Sequence, residues 1–158
     1  MIYLKTLKWD NCFSYGKGNS INFDDSAVTQ LIGTNGTGKS SIPLILEEVL
    51  YGKNNKGIKK QDIPNRYLEE GYHIELKFKV DKDKYEVTLN RKSSISLKVS
   101  KNGTDISSHT TTGTYKTIEN ILGLNYKTFS QLFYQSASSS LEFLKATDTN
   151  RKKFLIAL

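Results

Sequence analysis

An α/β fold built around a phosphate-binding loop is what this sequence predicts. Three observations carry that expectation. Gly33, four further residues and then Gly38-Lys39-Ser40 fit G-x-x-x-x-G-K-[ST]. The run "AVTQLIG" before the loop is apolar and β-prone, and a helical run follows the loop. Farther on, "YHIELKFKV" alternates strictly between apolar and polar residues, the mark of a half-buried strand.

In chain order the first two strands are "MIYLKTLKW" and "SINF", joined through "DNCFSYGKGN", whose Asn, Gly and Ser content reads as a turn. The strand leading into the loop, apolar at Val28, Leu31 and Ile32, is the third. Ser40 onward reads as helix to Tyr51, with Gly52 just past its end. Pro43 fits the first turn, where its missing N–H had no intrahelical acceptor. In "YHIELKFKV" one face carries Tyr72, Ile74, Leu76, Phe78 and Val80, and the other His73, Glu75, Lys77 and Lys79. "DKDK" turns the chain, "YEVTLN" returns with Tyr85, Val87 and Leu89 inward, and "ISLKV" follows with Ile95, Leu97 and Val99. "KNGT" supplies an Asn-Gly turn, which completes an antiparallel meander. From Thr114 the period becomes helical, with Tyr115, Ile118, Ile121 and Leu122 on one side and Gly123 as a stop. A second helical piece spans Tyr126 to Phe133, and the serine run from Ser136 to Ser140 is a loop. Thr147, Asp148 and Thr149 are N-cap candidates for a helix that has barely begun at Leu158, so a fragment of a longer protein is expected.

The loop chemistry explains the residue types. Glycines at 33, 36 and 38 let successive backbone N–H groups turn inward as an anion-binding nest at a helix N-terminus. Lys39 would sit between β- and γ-phosphates, and the Ser40 hydroxyl would ligate Mg²⁺. Composition bounds the rest. The 158 residues, 37% of them hydrophobic, suffice for one domain with a real core. A net charge of +7 suits a polyanionic partner. The single cysteine, Cys12, excludes an internal disulfide and any Cys-rich metal site. Nothing resembles a signal peptide or an apolar run of membrane-spanning length, so no membrane partner is expected and the cytoplasm is the expected compartment.

Several candidate residues are set aside. "LILEE", Leu44 to Glu48, imitates the apolar run and acidic pair of a Walker B strand but falls inside the loop's helix. His73 lies on the polar face of a strand and His109 in a Ser/Thr-rich stretch, so both read as solvated surface. Neither a second carboxylate site nor a metal cluster nor a nucleophile triad is present, and nuclease activity is not encoded here. Topology separates two enzyme classes. A small P-loop kinase starts almost at its loop and continues in parallel βα units, whereas here two strands precede the loop and a meander follows its helix. The fold class expected is therefore a P-loop NTPase of the ABC-type ATPase head kind: an N-terminal lobe with an antiparallel β meander and flanking helices.

At this point "LKTLKWDNCFSYG", "LIGTNGTGKSS", "LYGK", "GIKKQDI" and "NRKKFLIAL" together resemble the N-terminal half-head of the SbcC/Rad-fifty ATPases, the SMC-like subunits of double-strand-break nuclease complexes, and most of all their phage members. The resemblance covers essentially the whole chain. It implies a head split by a long antiparallel coiled coil, with residues 1–158 as the N-terminal half ending at the start of the coiled-coil helix. The second half would carry Walker B, the signature motif and the switch histidine. Carried over by position, Asn35, Gly36, Thr37, Gly38, Lys39, Ser40 and Ser41 contact ATP, and Ile58, Lys59 and Lys60 fall on a segment beside it. An arginine that many relatives place in an early "N-F-R-S" motif is replaced by Phe13. The Q-loop glutamine, approaching Mg²⁺ and the attacking water, is Gln135, with Gln131 as its rival. Lys39 and Gln135 are thus the catalytic candidates, and Ser40 and Gln135 the Mg²⁺ candidates.

The resemblance also implies partners: the C-terminal half-head of the same protein, a second head in an ATP-dependent dimer, an SbcD-like nuclease subunit and double-stranded DNA. For a phage-encoded member the compartment is the host cytoplasm. Lys53, Lys56, Lys59, Lys60 and Arg66, interleaved with Asn54 and Asn55, are the candidates for DNA phosphate contact. Three readings follow. One is an ATPase half-head of a DNA-repair, recombination or replication nuclease complex, inactive in hydrolysis as residues 1–158 alone. Another is an SMC- or RecF-like tethering or loading ATPase without a nuclease partner. The last, a small-molecule P-loop kinase, is disfavoured by topology.

Overall fold

The computed structural model describes residues 1–24, 28–68, 70–132, 147–149 and 152. The chain forms two compact units, Met1–Leu122 and Gly123–Leu158. The first holds β1 (Ile2–Asp10), β2 (Asn19–Asn22), α1 (Ser41–Tyr51), a 3₁₀ turn (Lys60–Asp62), β3 (Tyr72–Val80), β4 (Asp83–Arg91), β5 (Ile95–Lys101), β6 (Thr104–Asp105) and α2 (Thr111–Leu122). The second holds α3 (Tyr126–Leu132), in which Asn125 Oδ1 accepts the Thr128 N–H at 2.9 Å, and helical residues at Asp148, Thr149 and Lys152.

The strands form one antiparallel sheet in the order β2-β1-β3-β4-β5-β6. Because side chains alternate across a strand, the register stacks one residue of each strand into a common row. Leu7, Leu76, Val87 and Val99 make such a row across four strands, and all are fully buried. The opposite face carries Lys8, Glu75 and Lys77, which pair with one another, and Lys77 also reaches Glu86. Helix α1 packs over β3 and β4, and α2 over α1 and β5, so Ile45, Val49 and Ile118 close the core. Each such side chain contributes about 1.5–3 kcal/mol on leaving water.

The hairpins follow their turn residues. Asn102 and Gly103 both have positive φ, 51° and 88°, as the two-residue β5–β6 turn requires. The "DKDK" turn is tighter than the sequence suggests. Asp81 takes φ 53° and, with Lys82, forms the whole loop, so Asp83 already pairs with Val80. Helix α2 starts three residues before Thr114, because Thr110 Oγ1 accepts the Gly113 N–H at 3.0 Å and caps it there. At the far end of α1, Gly52 has φ 61°, and a Cβ on it would lie 2.7 Å from the Tyr115 ring.

The expected strand before the loop is not formed. Residues 28–33 lie outside any strand, with Val28 78% and Ile32 85% exposed. A β-prone run becomes a strand only when a neighbour satisfies its N–H and C=O groups. Among the described residues no strand runs beside this one.

Candidate nucleotide-binding site

Gly36 and Gly38 take φ 87° and 91°, and Ser41 N–H bonds back to Gly38 O at 2.8 Å as α1 begins. The helix N-terminus has neither a side-chain cap nor an acidic residue in its first turn. The first N–H groups of α1 are taken up or missing, since Ser41 and Ile42 bond back to the Gly38 and Lys39 carbonyls and Pro43 has none, so the donors offered to an anion are those of the glycine turn that precedes the helix. Lys39 curls over the loop, its Nζ donating to the carbonyls of Gly33 and Thr34 at 2.6 Å each, so the charge is held at the loop's mouth. Thr37 Oγ1 donates to Thr34 O at 2.9 Å and stiffens the same turn. Ser40 is exposed beside Lys39, immediately before the helix. A lone neutral hydroxyl suits Mg²⁺, which keeps most of its waters and takes phosphate oxygens.

The loop opens on a cleft of about 1880 Å³. Its other walls are the 11–17 turn, the 60–67 segment and the 91–93 hairpin end. Asn11 ties these walls together. In the left-handed region (φ 59°) and buried, it donates Nδ2 to the carbonyls of Glu70 and Gly71 at 2.7 Å each, while its own carbonyl accepts the Asn65 N–H. Phe13 N–H reaches Ile63 O at 2.6 Å. The turn also presses on the loop: a Cβ on Gly38 would stand 2.5 Å from Ser14 Oγ and 3.0 Å from the Tyr15 ring. Trp9 holds that ring edge-on at 5.2 Å. Cys12 is buried in the same turn, and burial, then the charges of Glu48 and Asp10, push its thiol far up, so it stays a neutral packing group.

Two adjacent carboxylates of α1, both fully buried, fasten the 53–60 loop. Glu47 Oε2 accepts the Asn55 N–H at 2.9 Å, and burial raises its carboxyl above the ordinary range. Glu48 accepts the Tyr72 hydroxyl at 2.7 Å and forms an ion pair with Lys60. The Tyr115 hydroxyl donates to the Glu48 carbonyl at 3.2 Å. These two acids are the end of "LILEE", so that run is helical and structural, as its place in the sequence implies.

Of the residues expected at the nucleotide, Asn35, Gly36, Gly38, Lys39, Ser40 and Ser41 line the cleft. Thr37 acts within the loop instead. Lys60 lines it too, with its charge matched by Glu48. Ile58 and Lys59 do not, because Asn54 folds over Ile58, donating to its carbonyl and accepting its N–H at 2.8 and 2.7 Å. The wall is instead the stretch 60–67, reaching Arg66 and Tyr67. Lys53, Lys56 and Lys59 are exposed, whereas the other two candidates for DNA contact, Lys60 and Arg66, face the cleft. Phe13, at φ 54°, lines the cleft without a charge. Arg91 and Lys92 also reach it, and only the β4 register, which puts Arg91 beside Tyr72, could have indicated this. Gln135 lies outside the described residues, and Gln131 lies in α3. His73 shares a hydrogen bond with Asn90 on the polar sheet face, and His109 is exposed. Among the described residues no group of three His, Cys, Asp or Glu could hold a metal ion, and no helix is long and apolar enough to cross a membrane.

A glycine nest on a helix N-terminus, a lysine over its mouth and an antiparallel sheet beside it define a P-loop domain with the fold of an ATPase head's N-terminal lobe. The chain belongs to the AAA domain family, whose sequence model matches residues 6–157. It is 49% identical over 158 residues to the probable exonuclease subunit 2 of Escherichia phage T5, covering 99% of this chain and 26% of that protein. With exonuclease subunit 2 of Enterobacteria phage T4 it shares 25% identity over 154 residues, 96% of this chain and 27% of that protein. A DNA double-strand break repair Rad50 ATPase from Methanococcus maripaludis is 26% identical over 156 residues, 96% of this chain and 15% of that protein. The chain thus spans about a quarter of the length of its curated phage relatives. Among solved structures, one from work on ATP-driven dimerization of SMC ATPases superposes with a TM-score of 0.70 at 18% identity, covering 98% of each chain. RecF bound to ATP superposes with a TM-score of 0.64 at 22% identity, covering 99% of this chain and 37% of RecF.

Proposed function

We propose that this chain is the ATP-binding N-terminal half of an SbcC/Rad-fifty-type ATPase head, acting on DNA with a separate SbcD-like nuclease subunit. The observation that carries the reading is the loop itself, in which backbone donors, the Lys39 ammonium and the Ser40 hydroxyl converge at the start of α1. The likeness to phage exonuclease subunits supports the DNA context.

In this reading the nest and Lys39 bind the phosphates and orient the γ-phosphoryl group. Ser40 would hold Mg²⁺ through its hydroxyl, and the ion would supply neutralisation of phosphate charge. Gln135 is assigned to orienting the attacking water. Phosphoryl transfer is accelerated chiefly by positioning and charge stabilisation. The run "LILEE" has both its acids buried in α1, so in this reading the Walker B carboxylates come from elsewhere in the protein. The exposed apolar run at 28–32 fits the same picture, since strands from the C-terminal half-head would cover and pair it. The signature surface would come from a second head in an ATP-dependent dimer, and Lys53, Lys56 and Lys59 would touch DNA phosphates. The compartment proposed is the cytoplasm.

The test is phosphate release with light scattering, on residues 1–158 alone and mixed with the separately expressed C-terminal half. The expected result is neither turnover nor ATP-dependent dimers from the fragment, and both from the mixture. Lys39-dependent hydrolysis by the fragment alone would overturn the composite site, and an assembled head that never hydrolyses would favour a purely tethering role.

A further inference from the structure

The cleft extends beyond the loop's phosphate donors to a rim of different character. Tyr67 lines it with 85% of its surface exposed, and Arg66, also exposed, precedes it. The backbone beneath Tyr67 is fixed relative to the loop. The Tyr15 ring abuts Gly38, the Tyr15 carbonyl accepts from Asn65 Nδ2 at 3.4 Å, and Asn65 Oδ1 accepts the Tyr67 N–H at 2.9 Å. Asn65 is itself buried and anchored to Asn11. A bare ring is therefore carried on a rigid mount that is registered to the P-loop glycine. Charge on this side is also uncommitted. Glu48 matches Lys60 and Glu70 matches Lys17, whereas Arg66 makes no ion pair among the described residues.

Resting on the reading of the P-loop as a nucleotide site, we propose that Tyr67 is the platform on which the base of that nucleotide stacks, with Arg66 beside it as a cationic contact. One cleft lined both by the loop's phosphate donors and by an exposed aromatic ring, with no ring partner among the described residues, offers the two kinds of contact that a nucleoside triphosphate takes. Stacking on an aromatic face holds a base without reading its edge. The platform then adds affinity for the nucleoside part and leaves the phosphate contacts to the loop.

The experiment measures binding of ATP and of inorganic tripolyphosphate to the complete protein, by calorimetry. Tyr67→Ala should weaken ATP binding about tenfold, the loss expected on removing a stacking ring, and leave tripolyphosphate binding unchanged. Tyr67→Phe should retain wild-type affinity for both. Lys39→Ala should weaken both ligands. The platform is refuted by a Tyr67→Ala protein that binds ATP like wild type while Lys39→Ala does not, or that loses both ligands equally. It is also refuted if Tyr67→Ala spares ATP and instead loses a single-stranded oligonucleotide, which would make the rim a nucleic-acid surface. A Lys39→Ala protein that matches wild type on both ligands removes the P-loop reading beneath it.

Discussion

Replacing Glu48 by alanine tests the packing that joins α1 to the cleft wall. The change removes the acceptor of the Tyr72 hydroxyl, inside a fully buried environment, and the partner of Lys60. An orphaned buried hydroxyl costs about 1–3 kcal/mol. Loss of the ion pair adds about 1 kcal/mol or less, because Lys60 keeps 31% of its side chain exposed, and the unfilled space adds about 1 kcal/mol. Relief from burying a carboxylate offsets part of this, leaving about 3 kcal/mol. For a unit of this size that corresponds to a fall in Tm of about 10 °C, read by circular dichroism. Glu48→Gln keeps an oxygen for Tyr72 and should lose only about 1 kcal/mol. Adding Tyr72→Phe to Glu48→Ala should recover stability, since the orphan is then gone. A Glu48→Ala protein within about 0.5 kcal/mol of wild type, the range of an ordinary surface change, would refute the network. The same variants separate structure from catalysis. In the complete protein Glu48→Gln should still hydrolyse ATP, whereas a Walker B role for "LILEE" demands that it stop.

Gly52→Ala should destabilise by about 2 kcal/mol in urea titrations, because it forces a Cβ into the left-handed region and against Tyr115. Glu47, whose carboxyl is raised by burial, contributes stability in its protonated form. That contribution is lost as pH rises from its unfolded pKa through its folded one, so Glu47→Gln should gain on wild type between pH 4.5 and neutrality. A constant difference in urea midpoint across that range would refute this assignment. Lys56→Glu with Lys59→Glu in the complete protein should weaken duplex DNA binding at low salt and flatten its salt dependence, the slope falling by about 0.9 for each DNA phosphate left unneutralised. An unchanged slope would leave these lysines as solvated surface.

Much of the fold was legible because its signals are local. Strict alternation over 72–80 placed Ile74, Leu76 and Phe78 in the core, and Asn102-Gly103 and Gly52 marked a turn and a helix end through their backbone freedom. What escaped depends on neighbours distant in sequence. The run at 28–33 has strand residues but no strand beside it among the described residues, and its apolar side chains stay exposed. Lys60 read as a free cation because its partner Glu48 belongs to a helix whose periodicity says nothing of loop contacts. The loop half of the site was readable from glycine spacing. Its far wall, where Arg66 and Tyr67 meet the end of β4, is assembled by Asn11 and Asn65, whose bonds no sequence pattern announces.

ATP binding by the complete protein, with Lys39 present or replaced by alanine, bears most directly on the claim that this loop holds the nucleotide's phosphates. Among the described residues the Lys39 ammonium bonds to carbonyls of its own loop, Gly33 and Thr34, so the substitution leaves the core untouched. The expected result is a loss of ATP affinity of tenfold or more, as a charge-assisted contact worth about 1.5–3 kcal/mol implies, with melting curves that superimpose in the absence of nucleotide. Equal ATP affinity in the two proteins, at equal stability, would contradict the account.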